Sequence, residues 1–396
     1  MVGEIDLVRA LGLAGIRAAV LARPDDSVRF SRYTATALDY VDASQEPERL
    51  VEVLLAFAQG QPEKPVLYYN ADWHLLAISA HREALRGAFR FVIPDASLVD
   101  DLVDKAKFQA LAGRLGLPVP KAIRLSPGAD PPTAVLRFPV VVKQLTRHYG
   151  SWEPITSAKA MHVANQRELE RVWPRLGQGG FDVLVQEWIP GPESQVESYH
   201  AYVDESGEFV GEFTGKKVRT LPPELGYSTA LVTTDAPDVA QAGGEILRRL
   251  GLRGVAKIDF KRDPRTRALH LLEINPRFNL WHHVGAKAGV NLPALVYADL
   301  TGLPRPPRTS ARAGVRWCSV WLDAKAARAE GVSLARWLPW MLKADAKSGI
   351  AWDDPLPVLR RMGAMAVAGA RTRARGRRNA PAGGDGGANG ERSTAT

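Results

Sequence analysis

The sequence predicts an α/β fold joined to an α+β fold, and three observations carry that reading. In the N-terminal part, short apolar runs alternate with segments whose apolar residues recur at helical spacing. Further on, pairs of strand-like runs are joined by tight turns, the mark of antiparallel hairpins. The length, 396 residues, exceeds one ordinary core and suggests two or three domains.

With 45% hydrophobic and 24% charged residues, the chain reads as soluble and globular. The longest uncharged run, Ala288 to Ala298, falls well short of the ~20 apolar residues a membrane span needs. Glu4, Asp6, Arg9 and Arg17 interrupt the start, which is no signal peptide. Cys318 is the only cysteine, so no intrachain disulfide is expected, and a reducing cytoplasm is the natural compartment. The net charge of +9 raises the question of nucleic acid. From Arg360 to Thr396, however, stand eight arginines and two acids, whereas the rest of the chain carries 44 basic and 41 acidic residues. The basic character belongs to a tail without any recognition-helix or RNA-binding signature, so nucleic acid is not an expected partner. Two readings of "VLRRMGAMAVAGARTRARGRR" (358–378) stay open: weak contact with an anionic membrane surface, or a solvated tail.

Taken in order, "LVRALGLAGIRAAVLA" (7–22) reads as a helix ending near Gly15 and then a short strand. A Rossmann-like half has a strand and a glycine turn before such a helix. That strand is missing here, as a start codon placed too far downstream would leave it. "PVLYYNADW" (65–73) reads as a buried strand ending in the polar Asn70 and Asp72, residues that suit a ligand site or a plain helix cap. "DDLVDKAKFQALAGRLGLPVP" (100–120) reads as a helix stopped by Gly116 and the prolines. The strand "FPVVVK" ends in Lys143, a polar segment runs to Lys159, and "NQRELERVW" (165–173) is helical. "FDVLVQEWIPGPE" (181–193) is a strand broken at Pro190-Gly191-Pro192. "HAYVDESGEFVGEFTGKKV" reads as a hairpin turning at Ser206-Gly207, and "VNLPALVYADLTG" as a helix ending at Gly302.

The chemistry concentrates in "GVAKIDF" and "LHLLEINPR". Side chains alternate along a strand, so Lys257 and Asp259 share one face, as do Glu273 and Asn275. Asp263-Pro264 supplies turn chemistry, and the two strands are expected to form an antiparallel hairpin. A register bringing Asp259 near Glu273 would set two carboxylates and an amide on one surface, a costly arrangement unless a cation sits there. Hard oxygen ligands without His or Cys suit Mg²⁺ or Mn²⁺. Alternatively, Lys257 or Arg277 merely pairs with Glu273 on a solvated face. Lys105 early in a helix and Lys143 at a strand end beside an irregular loop have the placement of phosphate-holding lysines, although either one alone reads equally as a surface lysine. Other motifs fail. "GEFTGKK" lacks the Walker spacing, "GYSTA" around Ser228 lacks the last glycine of a nucleophile elbow, and His282 and His283 cannot share a helix face as zinc ligands.

In this order the segments resemble the ATP-grasp superfamily, in particular its carboxylate–amine ligase branch, which includes D-alanine–D-alanine ligase, D-aspartate ligase and biotin carboxylase-like enzymes. "VDKAKFQALAGRLGLPVP", "FPVVVKQ", "LVQEWIPGPE", "TGKKV" and "KID…LLEINPR" carry the resemblance. It implies a two-lobed ATP-grasp fold over 96–305 behind an N-terminal Rossmann-like domain (1–95). A helical extension (306–369) and a basic tail (370–396) would follow. It implies ATP bound with Mg²⁺ or Mn²⁺, with Lys105 and Lys143 on the phosphates. Backbone groups of Gln186, Glu187 and Ile189 would meet the adenine edge, Glu193 the ribose hydroxyls, and Lys216 or Lys217 a further phosphate oxygen. Asp259, Glu273 and Asn275 would hold the metal, while Lys257 and Arg277 would face an acyl phosphate. The implied reaction joins a small-molecule carboxylate to an amine through that intermediate, with ADP and phosphate released. A homodimer fits this class. A non-catalytic nucleotide-binding scaffold is the alternative, because the loop after Lys143 carries one glycine, Gly150, and bulky Tyr149 and Trp152 where the family has small residues.

Overall fold

Helix α1 (Ile5–Gly12) opens the chain and ends ahead of Gly15, whose φ of +75° only glycine adopts freely. The apolar run beyond it forms strand β1 (Ala18–Ala22), parallel to β2 (Thr34–Asp39). This computed structural model describes residues 4–126, 136–145, 152, 160–180, 182–307, 309–360 and 362. The expected loop 144–159 is therefore described only at Gln144, Leu145 and Trp152, and the basic tail lies outside the described residues.

Helices α2 (Pro47–Gln59), α3 (Asp72–Ala80) and α4 (Arg82–Ala88) complete the N-terminal region. The run expected as a strand at 65–73 is extended and buried at Leu67, Tyr68 and Tyr69, but its ladder is a single parallel bridge, Val66 with Arg90. Side-chain packing holds it instead. The Tyr68 and Tyr69 rings lie 4.9 and 5.6 Å from that of Phe278, and the Phe278 N–H donates to the Tyr69 carbonyl at 3.1 Å.

The helix expected over 100–120 is two. α5 (Ala96–Val103) stops at Asp104, whose extended backbone and side chain cap α6 (Lys105–Arg114) by accepting from the N–H groups of Ala106 and Lys107. An aspartate at such a position competes with helix continuation because it satisfies the free N–H groups of a new one. Lys105 thereby becomes the first residue of a helix.

A small antiparallel sheet follows, from β3 (Ala122–Leu125), β4 (Val140–Gln144), β5 (Ala160–Val163) and β6 (Val183–Glu187), in the order β3-β6-β4-β5. Helix α7 (Gln166–Gln178), capped by Asn165, precedes β6. Val140, Val142, Val183 and Val185 form the core of this sheet with Leu169 and Trp152.

The large sheet contains β7 (Val196–Val203), β8 (Phe209–Leu221), β9 (Tyr227–Thr234), β10 (Gly254–Arg262) and β11 (Leu269–Asn275). β12 (Arg316–Ser319) and β13 (Ala346–Ser348) extend it, giving the order β11-β10-β7-β8-β9-β12-β13. The β7–β8 hairpin turns where the sequence puts it, with Gly207 at φ +97°. Helix α8 (Pro237–Leu250) covers one face, and Gly243 meets the Tyr199 ring so closely that a Cβ would lie 2.2 Å from it. Helices α9 (Trp281–Ala288) and α10 (Leu292–Thr301) cover the other, in a core shared with the N-terminal region. α11 (Val320–Ala329) and α12 (Leu334–Leu342) pack at the far end. There, Arg219 donates to both oxygens of the fully buried Asp323, at 2.8 and 2.6 Å. Cys318, in β12, is fully buried, and burial pushes its thiol up to about 12. Near the end of the described chain, buried Asp354 accepts from Arg9 Nε, Ser31 Oγ and the Arg32 N–H, tying that segment back to α1. No helix among the described residues is long and apolar enough to cross a membrane.

Candidate active site

One cleft lies between the two sheets, with Lys143, Ala160, Leu184 and Gln186 on the small-sheet side. Val196, Lys217, Asp259, Glu273 and Asn275 form the large-sheet side, and Lys105 and Phe108 of α6 close one end. A second cavity continues from it, sharing Asp72, Lys217, Tyr227, Asp259, Glu273 and Asn275, and reaches Glu4, Asn70, Lys257, Arg277 and Trp281.

The β10–β11 hairpin sets the acidic wall. Its register opposes Asp259 to Glu273 and Lys257 to Asn275, with a bulge immediately after Asp259. Two carboxylates thus face each other across strands, and the neighbours offset part of their repulsion. Lys257 Nζ lies 2.6 Å from Asp259 Oδ2, Ser198 Oγ donates to Asp259 Oδ1 at 2.5 Å, and Asn275 Nδ2 donates to Glu273 Oε1 at 3.1 Å. Arg277 Nη2 donates to Asn275 Oδ1 at 3.1 Å, and its Nε is paired with Asp72. Among the described residues no three His, Cys, Asp or Glu side chains form a metal cage. Two carboxylates and an amide, all oxygen donors, fit a hard divalent cation that completes its shell with phosphate oxygens and water.

The basic side is held differently. Lys143 Nζ donates to the neutral Gln186 Oε1 at 2.7 Å, and burial lowers its pKa despite the nearby Glu273 and Glu193. Lys105 Nζ donates to the backbone carbonyls of Gln144 at 2.7 Å and Leu145 at 3.1 Å. Lys217 lies 3.2 Å from Glu193. Burial opposes its charge, but Glu193, Asp259 and Glu273 outweigh that and hold its pKa above the usual lysine value.

The structure therefore brings together Lys105, Lys143, Gln186, Glu193, Lys217, Asp259, Glu273 and Asn275 in one cleft, with Lys257 and Arg277 in the adjoining cavity. Lys216 is apart from them. It is exposed, on the opposite face of β8 from buried Lys217, as alternation requires. Of the expected hinge groups, the Glu187 N–H already donates to the Lys121 carbonyl at 2.8 Å, and its Oε1 accepts from the Arg137 N–H. Ile189 is buried and lines neither cavity. Gln186 is buried, and its Nε2 has no hydrogen-bond partner among the described residues. His283 pairs with Asp6 at 3.0 Å, whereas neither ring nitrogen of buried His282 has a partner among the described residues.

Sequence reasoning missed two residues here. Ser198 reaches Asp259 only because β7 pairs with β10 in that register, which no local pattern announces. Lys261 was open to discovery from the alternation Lys257, Asp259, Lys261. It is buried, with its ammonium 3.8 Å from the centre of the Trp188 ring, just after β6.

A four-stranded and a seven-stranded sheet closing on a cleft of lysines and paired acids give the chain an ATP-grasp fold. The family described as "ATP-grasp in the biosynthetic pathway with Ter operon" matches residues 181–320. The D-aspartate ligase of Enterococcus faecium (strain Aus0004) is 24% identical over 293 residues, 70% of either chain. Among solved structures, the L-amino acid ligase from Bacillus licheniformis superposes with a TM-score of 0.58 at 15% identity, covering 76% of this chain and 72% of that one. The biotin carboxylase from Campylobacter jejuni, solved as its beta-gamma-ATP complex, gives 0.57 at 14% identity, covering 78% and 71%. Residues 181–320 thus match an ATP-grasp family, and the chain as a whole is similar to these ligase and carboxylase structures in fold.

Proposed function

We propose that this protein is an ATP-dependent ligase that joins a carboxylate to an amine through an acyl phosphate. The observation that carries the reading is the register pairing of Asp259 with Glu273 in a cleft that also holds Lys105, Lys143 and Lys217. Acids on one wall with lysines on both are what a polyphosphate with its divalent cation requires.

The substrate carboxylate attacks the γ-phosphorus, the bond to the β–γ bridging oxygen breaks, and ADP leaves. The amine then attacks the acyl carbon, phosphate leaves with the C–O electron pair, and the amine's proton passes to solvent. Asp259, Glu273 and Asn275 would hold Mg²⁺ or Mn²⁺, which neutralises charge on the phosphates when bound. Lys143 and Lys217 neutralise the transferring group from opposite walls, and Lys105 holds phosphate oxygens from the start of α6. Glu193 accepts the ribose hydroxyls, and the chain around Gln186, Glu187 and Ile189 meets the adenine. Lys257 and Arg277, in the second cavity, stabilise the acyl phosphate and the oxyanion of its adduct. A protein nucleophile is not required. The N-terminal region (1–95) and the ATP-grasp part (96–305) share this cavity, so the small-molecule substrates enter between them.

The experiment is ATP turnover with Mg²⁺ against pooled carboxylates, pooled amines, and both together. ADP and phosphate that rise strongly only with both pools support the ligase. AMP and pyrophosphate would replace the acyl phosphate with an adenylate. ATP binding without turnover in any pool would sink the ligase reading.

A further inference from the structure

Arg277 is held on three sides. Its Nε pairs with the Asp72 carboxylate, its Nη1 donates to the Asn70 carbonyl at 3.3 Å, and its Nη2 donates to Asn275 Oδ1 at 3.1 Å. Two of these partners come from the N-terminal region, 205 and 207 residues away along the chain. Asp72 also lines both cavities, and among the described residues no other residue of the N-terminal region reaches the cleft between the sheets.

The placement of Asp72 is stiff. It is the first residue of α3, where a negative charge is favoured by the helix dipole. The chain just before it is pinned by the Phe278 N–H to the Tyr69 carbonyl, by the rings of Tyr68 and Tyr69 against Phe278, and by Tyr68 Oη to the Pro293 carbonyl at 2.9 Å. Arg277, by contrast, ends a long, flexible side chain at the exit of β11, beside two carboxylates. A guanidinium released there has an obvious destination. Asn275 Oδ1 already accepts from it, and Asn275 Nδ2 donates to Glu273. Turning from Asp72 past Asn275 leads the guanidinium towards the Glu273 carboxylate, with Glu4, which already feels its charge, on the N-terminal side.

We infer that Asp72 is a positioning residue of the ligation: it aims Arg277 into the substrate cavity and keeps that guanidinium off Glu273, leaving the carboxylate for the divalent cation. The N-terminal region thereby sets the state of an acidic wall built two hundred residues further on. The inference rests on the proposed roles of Glu273 and Arg277. It assigns Asp72 an effect that reaches the cation only through Arg277.

The test is Mn²⁺ binding by the full chain in the presence of ADP, followed by electron paramagnetic resonance. Four proteins are compared: wild type, Asp72→Asn, Arg277→Met, and the double variant. Asp72→Asn is expected to weaken Mn²⁺ binding about 10- to 100-fold, the range for residues that orient metal ligands. Adding Arg277→Met should restore it to within a few-fold of wild type, because the competing guanidinium is gone. Unchanged binding in Asp72→Asn, or no recovery in the double variant, overturns the inference. Loss of the fold would move melting temperature and Mn²⁺ affinity together and would not be reversed by a second substitution. Asp72→Ser, which keeps a residue suited to a helix start, repeats the comparison if Asp72→Asn does not fold. Failure of wild type to bind Mn²⁺ with ADP would instead break the proposed metal site, and the inference with it.

Discussion

The two walls of the cleft handle charge in opposite ways. On the large sheet each acid is already engaged: Asp259 with Lys257 and Ser198, Glu273 with Asn275, and Glu193 with Lys217. On the other wall Lys143 donates to the neutral Gln186 amide and Lys105 to the backbone carbonyls of Gln144 and Leu145. An ion pair such as Lys257 with Asp259 or Lys217 with Glu193 adds a Coulomb attraction that a bond from an ammonium to a neutral oxygen lacks. The acidic wall is therefore prearranged and resists displacement, while the basic wall exchanges its partners for phosphate oxygens at small cost. Rigidity belongs to the side that holds a cation, and adaptability to the side that receives a polyphosphate.

The sharpest way to break this comparison is Glu273→Gln. The substitution keeps the shape and removes the charge, and kcat/KM with Mg²⁺ is expected to fall by about 1000-fold or more, as loss of a charge-stabilising group does. ADP release measured across a Mg²⁺ series decides it. Activity within tenfold of wild type would mean the acids of β10 and β11 do not serve a cation.

On the opposite wall, Lys143→Met should lower kcat/KM by about 100-fold and weaken nucleotide binding, with little change in melting temperature because a neutral contact is what it loses. A large loss of stability instead would erase the distinction between the walls.

Acid acts next, on three buried histidines. Burial holds His74 and His282 near a pKa of about 3, against an ordinary value of 6.5, and drives His200 well down. Below pH 6.5 the unfolded chain binds protons that the folded chain refuses, so stability falls as pH falls towards 3. At pH 5 each of His74 and His282 costs about 2 kcal/mol relative to neutral pH. Urea melts at pH 7.5 and pH 5 measure this, and His282→Phe should flatten the dependence; an unchanged slope would refute it.

The smallest effect sharpens the reading of β8. Lys216→Met, on the exposed face, should change kcat/KM by no more than about twofold, in line with other surface substitutions away from special features. A larger loss would move the phosphate contact from Lys217 to Lys216.

Much of this was legible before any coordinates. Two-residue alternation in "KIDF" and "LLEIN" put Lys257 with Asp259 and Glu273 with Asn275, because strand geometry leaves no other arrangement. Register lay beyond reach, since pairing depends on a bulge after Asp259 and on the partner strand, and with it went Ser198. The helix break at Asp104 was a missed capping signal. The apolar periodicity runs through it, but the aspartate side chain satisfies the N–H groups of a second helix. At 65–73 composition pointed to a strand, and tertiary packing against Phe278 replaced most of a ladder. The link from Asp72 to Arg277 joins residues whose local sequences say nothing of one another.

Cys318 brings these threads to the bench. Its thiol is the only one in the chain, fully enclosed and pushed up to about 12, so at neutral pH it offers almost no thiolate to an alkylating reagent. The wild-type protein is thus nearly silent to maleimide dyes. One cysteine introduced on the small sheet and one on the large sheet would carry a fluorophore pair against a dark background. Their separation could then report, molecule by molecule, how far the cleft shuts when nucleotide arrives.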